Sequence, residues 1–165
     1  VNWSKLRPHL TAVAYGHHHD WMGQALALAQ EAGEQGEIPV GAVIVDHQGH
    51  CLAGAANRKE RDQDPTAHAE LLALRQASQQ LQHWRLEDCI LYVTLEPCPM
   101  CTGAIIQARL GLLVYGAADS KTGSIHTVLN LPASSASNHG LLAIAGIRER
   151  ECRQLLQDWF AQRRR

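Results

Sequence analysis

The sequence predicts an α/β protein, a three-layer α/β/α sandwich around one mixed five-stranded sheet. Three observations carry that prediction. Short β-branched runs alternate with longer segments of helical apolar spacing. The first two runs are joined by a four-residue turn, whereas helix-length segments separate the later ones. No internal repeat or linker divides the 165 residues, so they form one domain over 1–165, with a core of about 20–160 and an N-terminal extension over 1–19.

Taken in order, Asp20 is placed to cap a helix over 21–30, whose Ala and Leu positions share a face and which Gly33 and Gly36 end. His17, His18 and His19 read as a polar approach to it. Residues 38–46, rich in Val and Ile, form a buried strand, and Asp46-His47-Gln48-Gly49 turns it back into a second strand over 50–56. A charged loop follows over 57–64. Asp64-Pro65 opens a helix that runs to Leu81, since Pro is favoured in a first turn. Residues 89–95 form a strong strand, Pro97 ends it, and a helix follows over 98–109. Residues 111–115 form a fourth strand. After an irregular stretch over 117–140 come a fifth strand over 141–147 and a last helix over 148–164, with Leu155, Leu156, Trp159 and Phe160 on its apolar side.

Composition narrows the function. The chain is 45% hydrophobic and 19% charged, with a net charge of −1, so any contact with nucleic acid depends on local rather than global positive charge. No run approaches the roughly 18 apolar residues that span a bilayer. Residues 1–11 carry Lys5 and Arg7 but no apolar stretch of a secretory signal, and the initial Val fits a processed or truncated start. Five cysteines at irregular spacing make a poor disulfide framework. They fit a reducing, cytoplasmic compartment where thiolates are free to bind metal.

The chemistry concentrates in His68-Ala69-Glu70 and Pro97-Cys98-Pro99-Met100-Cys101. His68, Cys98 and Cys101 offer one imidazole and two thiols to a single zinc ion. Three protein ligands leave a position for water, as catalytic rather than structural zinc does. Both motifs open helices, whose N-termini favour thiolate over thiol. Glu70 is the acid beside the metal, suited to moving a proton from water to substrate. A fourth ligand from Cys51, Cys89 or Cys152 would close the site, but each lies in an apolar segment where an unpaired Cys packs as a small core residue.

The strings Thr66–Glu70 and Thr94–Cys101 resemble the zinc-dependent nucleobase deaminases. Residues 38–43, Asn57-Arg58, 64–70, Gly116-Ala117, 119–123 and Asn138-His139 narrow the resemblance to the tRNA-specific adenosine deaminases. It implies a cytidine deaminase-like fold and hydrolysis of the wobble adenosine of a tRNA anticodon stem-loop to inosine, with ammonia released. It also implies one zinc ion per chain, Glu70 as the proton carrier, and a homodimer without membrane or organic cofactor. Substrate contacts fall by resemblance on Asn57, Ala69, Pro97, Asp119, Lys121, Asn138 and His139; the lesser alternative for Asn57 is a turn former at a strand end. Asp119 is assigned a ribose hydroxyl. Residues 124–128 depart from the small-residue pattern usual there.

Towards the C-terminus, Arg148, Arg150, Arg153, Arg163, Arg164 and Arg165 outnumber three acids and offer phosphate contacts. Ile105, Ile106 and Leu110 serve either the core or a dimer interface. Two other readings stand beside this one. The first is a deaminase of a small molecule such as guanine, cytosine or a deoxycytidine nucleotide. The second is a non-catalytic, zinc-stabilised RNA-binding protein.

Overall fold

The computed structural model describes residues 3–11 and 14–163. Its sheet has five strands: β1 (Gly41–Asp46), β2 (Cys51–Ala56), β3 (Cys89–Leu95), β4 (Leu112–Ala117) and β5 (Leu142–Ala145). Their order is β2-β1-β3-β4-β5, with β1 antiparallel to β2 and β3 and the last three strands parallel. The expected mixed five-stranded sheet is therefore present.

Alternation along the strands sorts the core into two layers. Val43, Val45, Ile90, Tyr92, Leu112 and Val114 pack with Met22, Ala25 and Cys152, from helices α2 (Tyr15–Glu34) and α6 (Glu149–Arg163). Ala42, Ile44, Leu91, Val93, Leu113 and Tyr115 face the other way, against Ala73, Leu74 and Ile105 of α4 (Ala69–Leu81) and α5 (Pro99–Gln107). Gly41 sits where α2 crosses β1 most closely: a Cβ there would overlap the Ala25 carbonyl and lie 2.7 Å from the Ala29 nitrogen.

Several local expectations are corrected. Helix α2 starts at Tyr15, so Asp20 lies inside it and caps nothing. Its start is held instead by tertiary contacts of His18, whose Nδ1 lies 2.8 Å from the Tyr92 hydroxyl and whose Nε2 lies 2.7 Å from the His9 carbonyl. The middle of the histidine triplet is thus buried rather than a polar approach. A short helix α1 (Trp3–Leu6) and a 3-10 turn (Arg7–Leu10) precede it, with Leu6 fully buried. The charged loop after β2 contains one helical turn, α3 (Lys59–Asp62).

Asp64-Pro65 does not open α4. Asp64 Oδ1 accepts from the Thr66 N–H and hydroxyl, both at 2.7 Å, making a turn that delays the helix to Ala69 with His68 as its N-cap. Helix α2 also runs to Glu34, four residues past the expected end and through Gly33; the remaining strand and helix ends fall within three residues of expectation, as frayed ends do. Ile105 and Leu110 are fully buried and Ile106 nearly so, which assigns all three to the core. On α6 the buried residue is Cys152; Leu155, Leu156 and Trp159 are half-buried and Phe160 is exposed.

Candidate metal centre and substrate cavity

The site forms at one end of the sheet. Strands β2, β3 and β4 end there and β1 begins there, as the pairings Gly41–Ala56, Ala42–Val93 and Leu95–Ala117 require. Crevices at the carboxyl ends of parallel strands are the usual ligand sites of open α/β sheets. Two helix N-termini converge on this end, with His68 capping α4 and Cys98 capping α5.

His68, Cys98 and Cys101 present ligand atoms that all lie within 4.8 Å of one another. His68 Nδ1 is 3.9 Å from Cys98 Sγ and 3.7 Å from Cys101 Sγ. Tetrahedral zinc with bonds of about 2.0 Å to nitrogen and 2.3 Å to sulfur places such atoms about 3.6 Å apart. The donor set and its spacing fit zinc. Among the described residues Cys51, Cys89 and Cys152 stand outside this group, so three protein donors converge and not four.

Glu70, in the first turn of α4, is 4% exposed. Burial pushes its carboxyl up to about 7, against backbone hydrogen bonding and the neighbouring His68. Contact with the Cys101 thiol holds Cys98 down to about 4. Cys101 is raised by the adjacent Cys98 sulfur and by burial. His68 is raised chiefly by Cys98, with burial and Lys59 opposing.

His68, Glu70 and Cys98 lie on a cavity of about 350 Å3, with Cys101 fully buried behind them; its wall also includes Ile38, Val40, Asn57, Lys59, Asp119 and Phe160. That volume falls within the span of about 300 to 1,000 Å3 typical of small-molecule sites. Asn57 lines it, yet its amide is engaged on both sides: Nδ2 donates to the Ile38 carbonyl at 3.1 Å and Oδ1 accepts the Ala69 N–H at 3.0 Å. The Ala69 N–H expected to meet the reacting centre is therefore taken by Asn57. Asp119 also lines the cavity, with its carboxylate accepting from the Lys121 N–H at 2.8 Å and the Thr122 hydroxyl at 2.7 Å.

The other expected contacts fall elsewhere within one chain. Lys121 is exposed and outside the cavity wall. Pro97 is buried, and its carbonyl accepts from Ser124 N–H and Oγ. Asn138 and His139 precede β5 at the opposite end of the sheet, where the Asn138 carbonyl accepts from Arg109 and His139 Nε2 meets the Leu110 carbonyl at 2.6 Å. Only Gly140 and Leu141 separate His139 from β5, too short a span to carry it to the end where the parallel neighbours finish.

Sequence reasoning missed Glu96, although it stands inside the motif Thr94–Cys101. Its carboxylate is 1% exposed. Oε1 accepts the N–H groups of Ile125, His126 and Thr127 at 3.1, 2.8 and 3.0 Å; Oε2 accepts the Asp119 N–H at 3.2 Å and the Thr127 hydroxyl. Burial alone would raise this carboxyl, but the bonds from His126, Thr127 and Asp119 outweigh it and hold it below its ordinary range. The unusual residues 124–128 are absorbed by the same arrangement: Ser124 and Ile125 are buried, and the Ser124 hydroxyl lies 2.7 Å from that of Thr102.

Trp159 and Phe160 of α6 complete the cavity wall, with Arg163 stacked 3.8 Å from the Trp159 ring centroid. Two arginines expected to meet phosphate are paired with acids of α6, Arg148 just before the helix to Glu151 and Arg153 to Glu149. Arg164 and Arg165 lie outside the described residues.

A family model described as MafB19-like deaminase matches residues 16–164. The chain is 42% identical over 145 residues to the tRNA-specific adenosine deaminase of Bacillus subtilis, covering 88% of this chain and 89% of that protein. The chain belongs to the tRNA-specific adenosine deaminase family. A solved structure from work on A-to-I editing by tRNA:A34 deaminases at the wobble position aligns with a TM-score of 0.81 and 39% identity, over 83% of this chain and 99% of that one. The expected fold and resemblance are both borne out. A tRNA(Ile)-lysidine synthase of Deinococcus radiodurans is 42% identical over 173 aligned positions, spanning all of this chain but 30% of that protein.

Proposed function

We propose that this chain deaminates the wobble adenosine of a tRNA anticodon stem-loop to inosine by hydrolysis, releasing ammonia. The observation that carries the reading is the buried Glu70 carboxylate beside His68, Cys98 and Cys101 on a cavity of nucleoside size, in a chain of this family. His68, Cys98 and Cys101 hold one zinc ion per chain. When bound, zinc supplies a Lewis acid that makes water nucleophilic at neutral pH.

Glu70 carries the protons. It takes one from the attacking water and passes it to N1 of adenine, then moves the second, from the hydroxyl now on C6, to the amine as the C6–N bond breaks and ammonia leaves. The apolar side chains of Ile38, Val40 and Leu95 exclude bulk water from the base. Asn57, through its bond to Ala69, fixes the first turn of α4 and hence the relation of Glu70 to the metal ligands. Asp119, at the cavity wall, accepts a ribose hydroxyl, which favours RNA over DNA.

The protein acts as a homodimer in a reducing, cytoplasmic setting. Exposed Leu81, Trp84 and Met100 lie on or beside the α4 and α5 face and supply apolar surface for a second copy. All five cysteines are free. No helix among the described residues is long and apolar enough to cross a membrane.

The test is incubation with unmodified tRNA transcripts, followed by sequencing for inosine and assay for ammonia. Inosine confined to the wobble position is the expected result. Ammonia from free guanine, cytosine or a deoxycytidine nucleotide, with none from any tRNA, overturns the reading in favour of a small-molecule deaminase. Stoichiometric zinc with no ammonia from any substrate leaves an RNA-binding role.

A further inference from the structure

A polynucleotide entering this cavity must bring phosphates past a wall rich in carboxylates. Glu37, Glu60, Glu70, Glu96 and Asp119 all line it, and among the described residues Lys59 is the one lysine or arginine that does. The carboxylates differ in how far their charge is offset. Glu37 accepts the N–H groups of Glu60 and Arg61 at 3.2 and 2.8 Å, while Glu96 and Asp119 are held by the loop bonds described above. Lys59, in contrast, has a loose contact with Glu60 at 3.8 Å, between side chains 42% and 70% exposed. Ion pairs so exposed are worth little, so the Lys59 ammonium is available to another anion.

The direction of substrate entry follows from the site. The reacting base edge must meet Glu70 and the His68, Cys98, Cys101 group, which leaves sugar and phosphates at the mouth. Lys59 lines the cavity from the turn just after Asn57, and its half-exposed side chain puts it on the solvent side of that wall, which Trp159 and Phe160 share. We propose that Lys59 is a specificity-determining residue that contacts a phosphate flanking the target nucleotide and so selects RNA over the free base or nucleoside. The proposal rests on the function proposed above. A compact, flexible ammonium suits this task, because a phosphate at a cavity mouth is met as a point charge and needs no bidentate geometry.

The test uses the full chain with zinc bound, an anticodon-stem hairpin bearing adenosine for turnover, and the same hairpin bearing inosine for equilibrium binding. Lys59→Ala is expected to weaken inosine-hairpin binding roughly fivefold at about 0.1 M salt. It should also lower the slope of log Kd against log salt by about 0.7, the value for one single-strand phosphate contact. The loss of kcat/KM is carried by KM, and Lys59→Arg restores it. Two further hairpins carry one neutral methylphosphonate each, 5′ or 3′ to the target. On one of them Lys59→Ala should have no further effect. An unchanged Kd and salt slope, or an undiminished effect on both neutral hairpins, overturns the proposal. If the unaltered protein forms no inosine in the adenosine hairpin, the function proposed above fails first, and that result is read independently of any Lys59 variant.

Discussion

Glu96 gives the sharpest test of how the cavity wall is built. Glu96→Ala removes one carboxylate that accepts from four backbone N–H groups and one hydroxyl of residues 119–127. Ile125 is 1% exposed, so its orphaned N–H costs about 1–3 kcal/mol. His126 and Thr127 are exposed and can turn to water, which limits each loss to about 0.5–1 kcal/mol. Asp119 is half-buried and falls between these cases. The sum is roughly 3–5 kcal/mol, a large part of the about 5–15 kcal/mol that holds a domain folded.

Glu96→Gln keeps one oxygen for the three N–H groups but turns an amide toward Asp119, so it should cost about 1–2 kcal/mol. Denaturant unfolding with zinc bound reads both variants as a shift in midpoint at constant slope. The charge adds a pH signature. The Glu96 carboxyl is held below its ordinary 4.5, so its stabilisation is complete above about pH 4.5 and is lost as pH falls through the lower folded-state value. The gap between the unaltered protein and Glu96→Gln should therefore narrow only below that pH. A loss under about 1 kcal/mol for Glu96→Ala, or equal losses for Ala and Gln, refutes the reasoning.

The remaining predictions concern separate parts of the molecule. Glu70→Ala should keep one equivalent of zinc by elemental analysis while turnover falls by about a thousandfold or more, as loss of a proton carrier predicts. Cys98→Ser, or a chelator, should strip the metal and lower the melting temperature together, because binding energy at such a site is folding energy. Gly41→Ala should cost about 2–3 kcal/mol in thermal unfolding, since the new Cβ meets α2 backbone at Ala25 and Ala29. Gly54→Ala, which meets only the Leu28 side chain at 3.3 Å, is the milder control. Asp119→Asn should shift the ratio of activity on matched RNA and DNA hairpins, and an unmoved ratio removes Asp119 from the discrimination.

Much of this protein is local in its sequence. Continuous apolar runs such as Ile90–Val93 determined strands buried on both faces, and the hairpin turn determined their first pairing. The cysteine spacing and the His-x-Glu string determined the donor types, because ligand chemistry is a property of side chains. Tertiary structure alone decided the rest. The helix starts upstream of the apparent cap at Asp20, where His18 is buried against Tyr92 and the His9 carbonyl, partners no local reading of the sequence brings together. Asn138 and His139 stand in a family-like string, yet strand direction carries them to the far end of the sheet. Glu96 carries no local signal, since its partners lie 23 to 31 residues away and meet it only when β3, β4 and the following loop are assembled. Lys59 reads in sequence as one charge in a charged loop, and only the closed cavity singles it out as the cation the substrate must pass.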